Sequence, residues 1–249
     1  MCDGETTPQW LDRADGARIA YHKRGGDGPG VVFLGGYASD MTGTKASFLD
    51  DWCRQRNRAF LRFDYQGHGQ SSGAFADGTI GLWAGDALAA FDALTEGPQI
   101  VIGSSMGGWI MLILALARSD RVAGLIGIAA APDFSQDLWL SLSDEQRETV
   151  HRDGVIELSD DGQPYQVTSA FFDDGRQHLM LRGPLAITCP VRLLQGMQDT
   201  AVPWSTAVTL TDRLNGADVA LTMIKDGDHR LSRDQDLARL GATIDELTV

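Results

Sequence analysis

The chain has 249 residues, 43% of them hydrophobic, which suits one large α/β domain with a sizeable core. Its formal net charge of −13 repels phosphate backbones and anionic membranes and speaks against nucleic-acid binding. Three widely spaced cysteines, Cys2, Cys53 and Cys189, suggest neither a disulfide framework nor a zinc cluster and fit a reducing compartment.

The N-terminus, MCDGETTPQW, lacks a basic stretch followed by an apolar one and is acidic rather than Arg-rich. A secretory signal or transit peptide is therefore not expected, and a cytoplasmic location is. No lipobox precedes Cys2, so no lipid anchor is expected there. Residues 16–23 (GARIAYHK) alternate as an early strand, and the turn cluster GGDGPG at 25–30 ends it. VVFLGG at 31–36 reads as a buried parallel strand. Residues 44–57 place Phe48, Leu49, Trp52 and Cys53 at helical spacing, and 59–65 (AFLRFDY) is the next strand. A helix is predicted over 82–94, a strand over 98–105, a helix directly after it, and a strand with a loop over 121–132. The apolar run from Trp109 to Ala117 is about nine residues, far short of the ~20 that span a bilayer. Residues 134–185 break the rhythm. Strands return at 191–196 and 219–225, and an amphipathic helix begins near Ser232. The alternation predicts a mainly parallel sheet with helices on both faces. One domain over 1–249 is expected, with 134–185 as a cap inserted over the carboxyl ends of the strands, where open α/β sheets bind ligands.

The chemistry centres on Gly103-Ser104-Ser105-Met106-Gly107, a G-x-S-x-G pattern with a strand before it and a helix after it. This is the nucleophile elbow of the α/β-hydrolase fold: small neighbours permit the sharp turn, and the helix N-terminus favours negative charge near Ser105. Ser104 is the rival nucleophile but precedes the apex. A serine hydroxyl needs a base. Of His22, His68, His151, His178 and His229, the last sits directly after the strand VALTMIK and fits the chain order Ser, acid, His. His68, in RFDYQGHGQSSG, has a structural reading as part of a glycine-rich turn and a functional one as a base. For the acid, Asp199 follows the strand VRLLQG, and Asp133, after the strand at 121–128, is the competitor. Backbone N–H groups of Met106 and Tyr37, with Gly36 as the alternative to Tyr37, are the expected oxyanion donors. Trp109, Trp139, Phe171, Phe172 and Trp204 could line an acyl pocket or simply pack. No H-E-x-x-H, paired cysteines or phosphate-binding loop is present, so neither metal nor cofactor is expected.

Five stretches resemble the α/β-hydrolase-domain-containing protein ten family, a group that includes a palmitoyl-protein thioesterase also described as an acyl-glucuronide esterase. They are FLGGYASDMTGTKA (33–46), RFDYQGHGQSSG (62–73), GPQIVIGSSMGGWIML (97–112), CPVRLLQGMQDTAVPW (189–204) and DHR (228–230). The resemblance implies a triad of Ser105, Asp199 and His229 acting on acyl thioesters or esters. The partner it implies is a small-molecule or acylated substrate. The cap matches less clearly, and the absence of a mitochondrial leader points to a bacterial-type cytosolic relative. An acyltransferase, a lyase, a haloperoxidase or a non-catalytic binding protein on the same fold stays open at this level. The sequence assigns no oligomeric state.

Overall fold

The computed structural model describes residues 7–160 and 163–248; Cys2 lies outside them. Eight strands form the main sheet in the order β1-β2-β4-β3-β5-β6-β9-β10. β1 (Gln9–Asp12) and β2 (Arg18–Arg24) make an antiparallel hairpin, and β2 pairs antiparallel with β4 (Arg58–Phe63). From β4 onward the sheet is parallel through β3 (Asp27–Leu34), β5 (Gln99–Ser104), β6 (Val122–Ile128), β9 (Val191–Gly196) and β10 (Val219–Ile224).

The central strands are continuous apolar runs because both of their faces are covered. Successive residues serve opposite cores. Val31 and Phe33 pack with Ala46, Leu49 and Trp52 of α1 (Thr44–Gln55) and with Leu240 and Ile244 of α8 (Asp234–Glu246). Val32 and Leu34 join the other core with Trp83 and Phe91 of α2 (Ile80–Leu94), Trp109 of α3 (Met106–Ala117) and Leu210 of α7 (Trp204–Arg213). α3 is apolar around almost its whole circumference, as a central buried helix must be.

Two features depart from the sequence reading. The turn expected over 25–30 is shorter, because Asp27 already pairs with Arg58, and a register irregularity between Asp27 and Val31 absorbs the glycines and Pro29. The region 134–185, expected to lack regular pattern, contains α4 (Phe134–Ser141), α5 (Asp144–Asp153), an antiparallel pair β7 (Val155–Asp160) and β8 (Gln163–Thr168), and α6 (Ser169–Gly175). α5 begins on a capping box between Ser143 and Gln146 and ends on Gly154 at φ 74°. β1 and α7 also go unread in the sequence. None of the described helices is long and apolar enough to cross a membrane.

Candidate active site

Ser105 sits between β5 and α3 at φ 54°, ψ −119°, a backbone region that non-glycine residues rarely occupy. Hydrogen bonds hold it there. Its N–H donates to Ile128 O at 2.9 Å, and its carbonyl accepts from Gly108 N at 2.8 Å and Ala131 N at 3.0 Å. The neighbouring glycines are required by contact. A Cβ on Gly103 would lie 2.3 Å from Gly107 O, and one on Gly107 would lie 2.1 Å from Leu34 O. The start of α3 is thus pressed against β3 and β5.

Asp199 lies just after β9, with its side chain fully buried. Ala201 N and Val202 N donate to its Oδ1 at 2.9 and 2.8 Å, and Gln195 Nε2 donates to Oδ2 at 3.1 Å. Burial raises its pKa, but the hydrogen bond and charge of His229 together with the two backbone donors more than offset this. The carboxyl therefore sits below the ordinary aspartate range and is ionised at neutral pH.

His229 lies in the loop after β10. A Cβ on Gly196 would meet Gly227 O at 2.4 Å, so only glycine lets the end of β9 lie directly under that loop. Gln198 N donates to Gly227 O at 2.8 Å and joins the two loops. His229 Nδ1 is 2.8 Å from Asp199 Oδ2, and Nε2 is 3.1 Å from Ser105 Oγ. An ionised carboxylate only accepts, so the ring proton belongs on Nδ1. Nε2 is then left as the acceptor for the serine hydroxyl.

A cleft of about 400 Å³ opens over Ser105 and His229, with Gly36, Tyr37, Lys45 and Arg230 in its wall. Gly36 runs beside the serine: a Cβ there would be 3.4 Å from Ser105 Cβ. Ser39 N and Oγ donate to Gly36 O at 3.3 and 2.8 Å. In a trans peptide the next N–H points opposite to the carbonyl. The Tyr37 N–H is therefore directed away from Ser39. Met106 is the first residue of α3, so its N–H has no intrahelical partner.

The family described as Serine aminopeptidase, S33, matches residues 30–167. Human palmitoyl-protein thioesterase ABHD10, mitochondrial, is 39% identical over 250 residues, covering 99% of this chain and 81% of that protein. The chain belongs to the S33 and ABHD10 families. The solved structure of α/β-hydrolase domain-containing protein 10 from mouse aligns with a TM-score of 0.92 at 38% identity over 98% of both chains. A protein from Agrobacterium vitis S4, described as a hydrolase, aligns with a TM-score of 0.92 at 41% identity over 98% of both chains. This ABHD10-family chain has the α/β-hydrolase fold and is a serine hydrolase.

The other sequence candidates in the ABHD10-family chain are occupied elsewhere. Asp133 Oδ1 and Oδ2 accept from Met180 N and Leu181 N at 2.6 and 3.0 Å, tying the end of β6 to the segment after α6. His68 is buried against the rings of Tyr65, Phe75 and Trp83, and burial lowers its pKa. Ser104 is a buried residue of β5. Trp109 donates its ring N–H to His178 O at 2.9 Å, Phe171 and Phe172 are core residues, and Trp139 packs edge-on against Phe172. Trp204 is largely exposed on α7. Tyr37 itself is ringed by Phe75, Trp83, Phe134, Tyr165 and Phe171.

Two residues of the site escape the sequence reading. Lys45, in the first turn of α1, donates to Arg230 O at 2.5 Å and reaches Ser232 Oγ at 3.5 Å. Burial lowers its pKa to about 8; the charge of Asp228 opposes the shift and that of Arg230 adds to it. Gln195 touches Asp199 from within β9. Its one sequence signal is a polar residue in an otherwise apolar strand end.

Proposed function

We propose that this hydrolase cleaves carboxylic esters or acyl thioesters through an acyl-enzyme on Ser105. The observation that carries the reading is the continuous relay from Ser105 Oγ through the two nitrogens of His229 to Asp199, at 3.1 and 2.8 Å. His229 takes the hydroxyl proton as Ser105 Oγ attacks the acyl carbon. Asp199 keeps the imidazole in its tautomer and stabilises the imidazolium without taking the proton. The N–H groups of Tyr37 and Met106 receive the oxyanion, with Gly36 as the alternative to Tyr37. Two facts support them: the fixed Gly36–Tyr37 peptide beside the serine, and the first N–H of α3, which has no intrahelical acceptor. The tetrahedral adduct collapses, and His229 returns the proton to the departing alcohol or thiol. Water, deprotonated by His229, then releases the acid. The human relative, a palmitoyl-protein thioesterase, makes long-chain acyl thioesters the first substrates to test.

Within this reading 1–249 is one domain, and 134–185 is a cap that shapes the acyl side of the cleft. The contacts of Tyr37 with Phe134, Tyr165 and Phe171 support that assignment. A reducing setting, which we read as cytoplasmic, fits Cys53 and Cys189, which form no disulfide among the described residues. Ser105→Ala tests the nucleophile. It should abolish turnover of p-nitrophenyl butyrate and labelling by a fluorophosphonate. Stoichiometric labelling of the variant would refute the assignment.

A further inference from the structure

Gln195 is fully buried in a strand whose neighbouring residues, Leu193 and Leu194, pack into the two hydrophobic cores. An apolar side chain would serve that packing equally well. Instead the amide nitrogen faces three oxygens: Asp199 Oδ2 at 3.1 Å, Val202 O at 3.2 Å and Gly196 O at 3.2 Å. Among the described residues, no protein donor faces its Oε1. Turning the amide over would set that oxygen against three acceptors, so the direction of the nitrogen is fixed.

The contact falls on the same carboxylate oxygen that accepts from His229 Nδ1. Oδ1 is already filled by Ala201 N–H and Val202 N–H. Each oxygen of Asp199 therefore has two donors, and Gln195 supplies the one that comes from a rigid strand rather than from the loop. We infer that Gln195 is a positioning residue of the reaction: it holds Asp199 Oδ2 where that oxygen meets His229 and acts on the chemistry only through Asp199. This rests on the proposed relay of Ser105, His229 and Asp199. Because it is fully buried, Gln195 touches no substrate.

Removing the amide takes the strand-borne anchor from the carboxylate, so the imidazole is oriented less well and kcat falls while substrate binding is left alone.

The test uses the full chain with Gln195→Met and p-nitrophenyl butyrate as substrate. A hydrogen bond to a charged group is worth a factor of about ten to a hundred, so kcat should fall at least about tenfold. KM should change by less than about twofold. Adding Gln195→Met to Asp199→Asn should give no further loss of kcat. Equal losses in both backgrounds, a kcat within about twofold of the wild type, or a variant that does not fold would each overturn the inference. The last would make the amide a requirement of the fold rather than of the site. Ser105→Ala separates the two readings. If it keeps turnover, the proposed function fails. If it is inactive and the Gln195 results go the other way, only the positioning role fails.

Discussion

Ser105 holds φ 54° because three backbone hydrogen bonds fix it between β5 and α3. Such a conformation costs about 1–3 kcal/mol and aims the hydroxyl off the end of the sheet. The two rival aspartates differ in what their oxygens accept from. Asp199 is shared between backbone, Gln195 and His229, whereas Asp133 gives both oxygens to the backbone at 180–181. Asp199→Asn should therefore lower kcat by about 10⁴-fold, as loss of the orienting acid does in serine hydrolases. Asp133→Asn should leave kcat within about fivefold while lowering the thermal midpoint, because one of its two backbone donors loses a carboxylate acceptor. Steady-state kinetics with thermal unfolding of both variants checks this, and the opposite ranking would reverse the assignment. The proposed triad of Ser105, Asp199 and His229 was legible because each lies within about five residues of the end of an apolar strand, in the chain order Ser, acid, His. Gln195 was not, because its meaning depends on the loop chemistry around residue 199, which strand periodicity does not encode.

At the scale of elements, the site is a set of loop ends drawn together by close backbone contacts. Gly107 lets α3 touch β3, and Gly196 lets the loop after β10 settle on β9. Lys45 adds a tether from α1 to the carbonyl of Arg230, next to His229. Its pKa of about 8 when folded compares with about 10.4 when unfolded. Between these values the unfolded chain binds more protons, so this group makes stability rise with pH. The difference in unfolding free energy between the wild type and Lys45→Met should be flat below pH 8. It should then shift in favour of the wild type up to about pH 10.4. Urea unfolding of both proteins at pH 7, 8, 9 and 10.5 measures it, and a pH-independent difference would contradict the assignment. Of the regular elements, those of the sheet core were readable from continuous apolar runs and helical spacing. The structure within 134–185 was not, because its helices and β7–β8 pair are short and half-buried, with turn and cap residues carrying more of the signal than hydrophobic period.

For the whole molecule, parallel strands bring the loops that follow β3, β5, β9 and β10 to one edge of the sheet. Residues as distant in sequence as Tyr37, Ser105, Asp199 and His229 then become neighbours. β10 lies three strands from β5, a lateral step of about 14 Å, so the His229 loop must lean back across β9 and β6 to reach the serine. The Gly196–Gly227 contact permits that lean. Rapid quenching of the wild type with p-nitrophenyl butyrate, followed by intact-mass and peptide mass spectrometry, asks the central question directly. One butyryl group per chain on the peptide that holds Ser105, formed and lost at rates matching turnover, is the predicted result. Steady turnover with the acyl group on another residue, or with none on the protein under conditions where deacylation limits the rate, would contradict it.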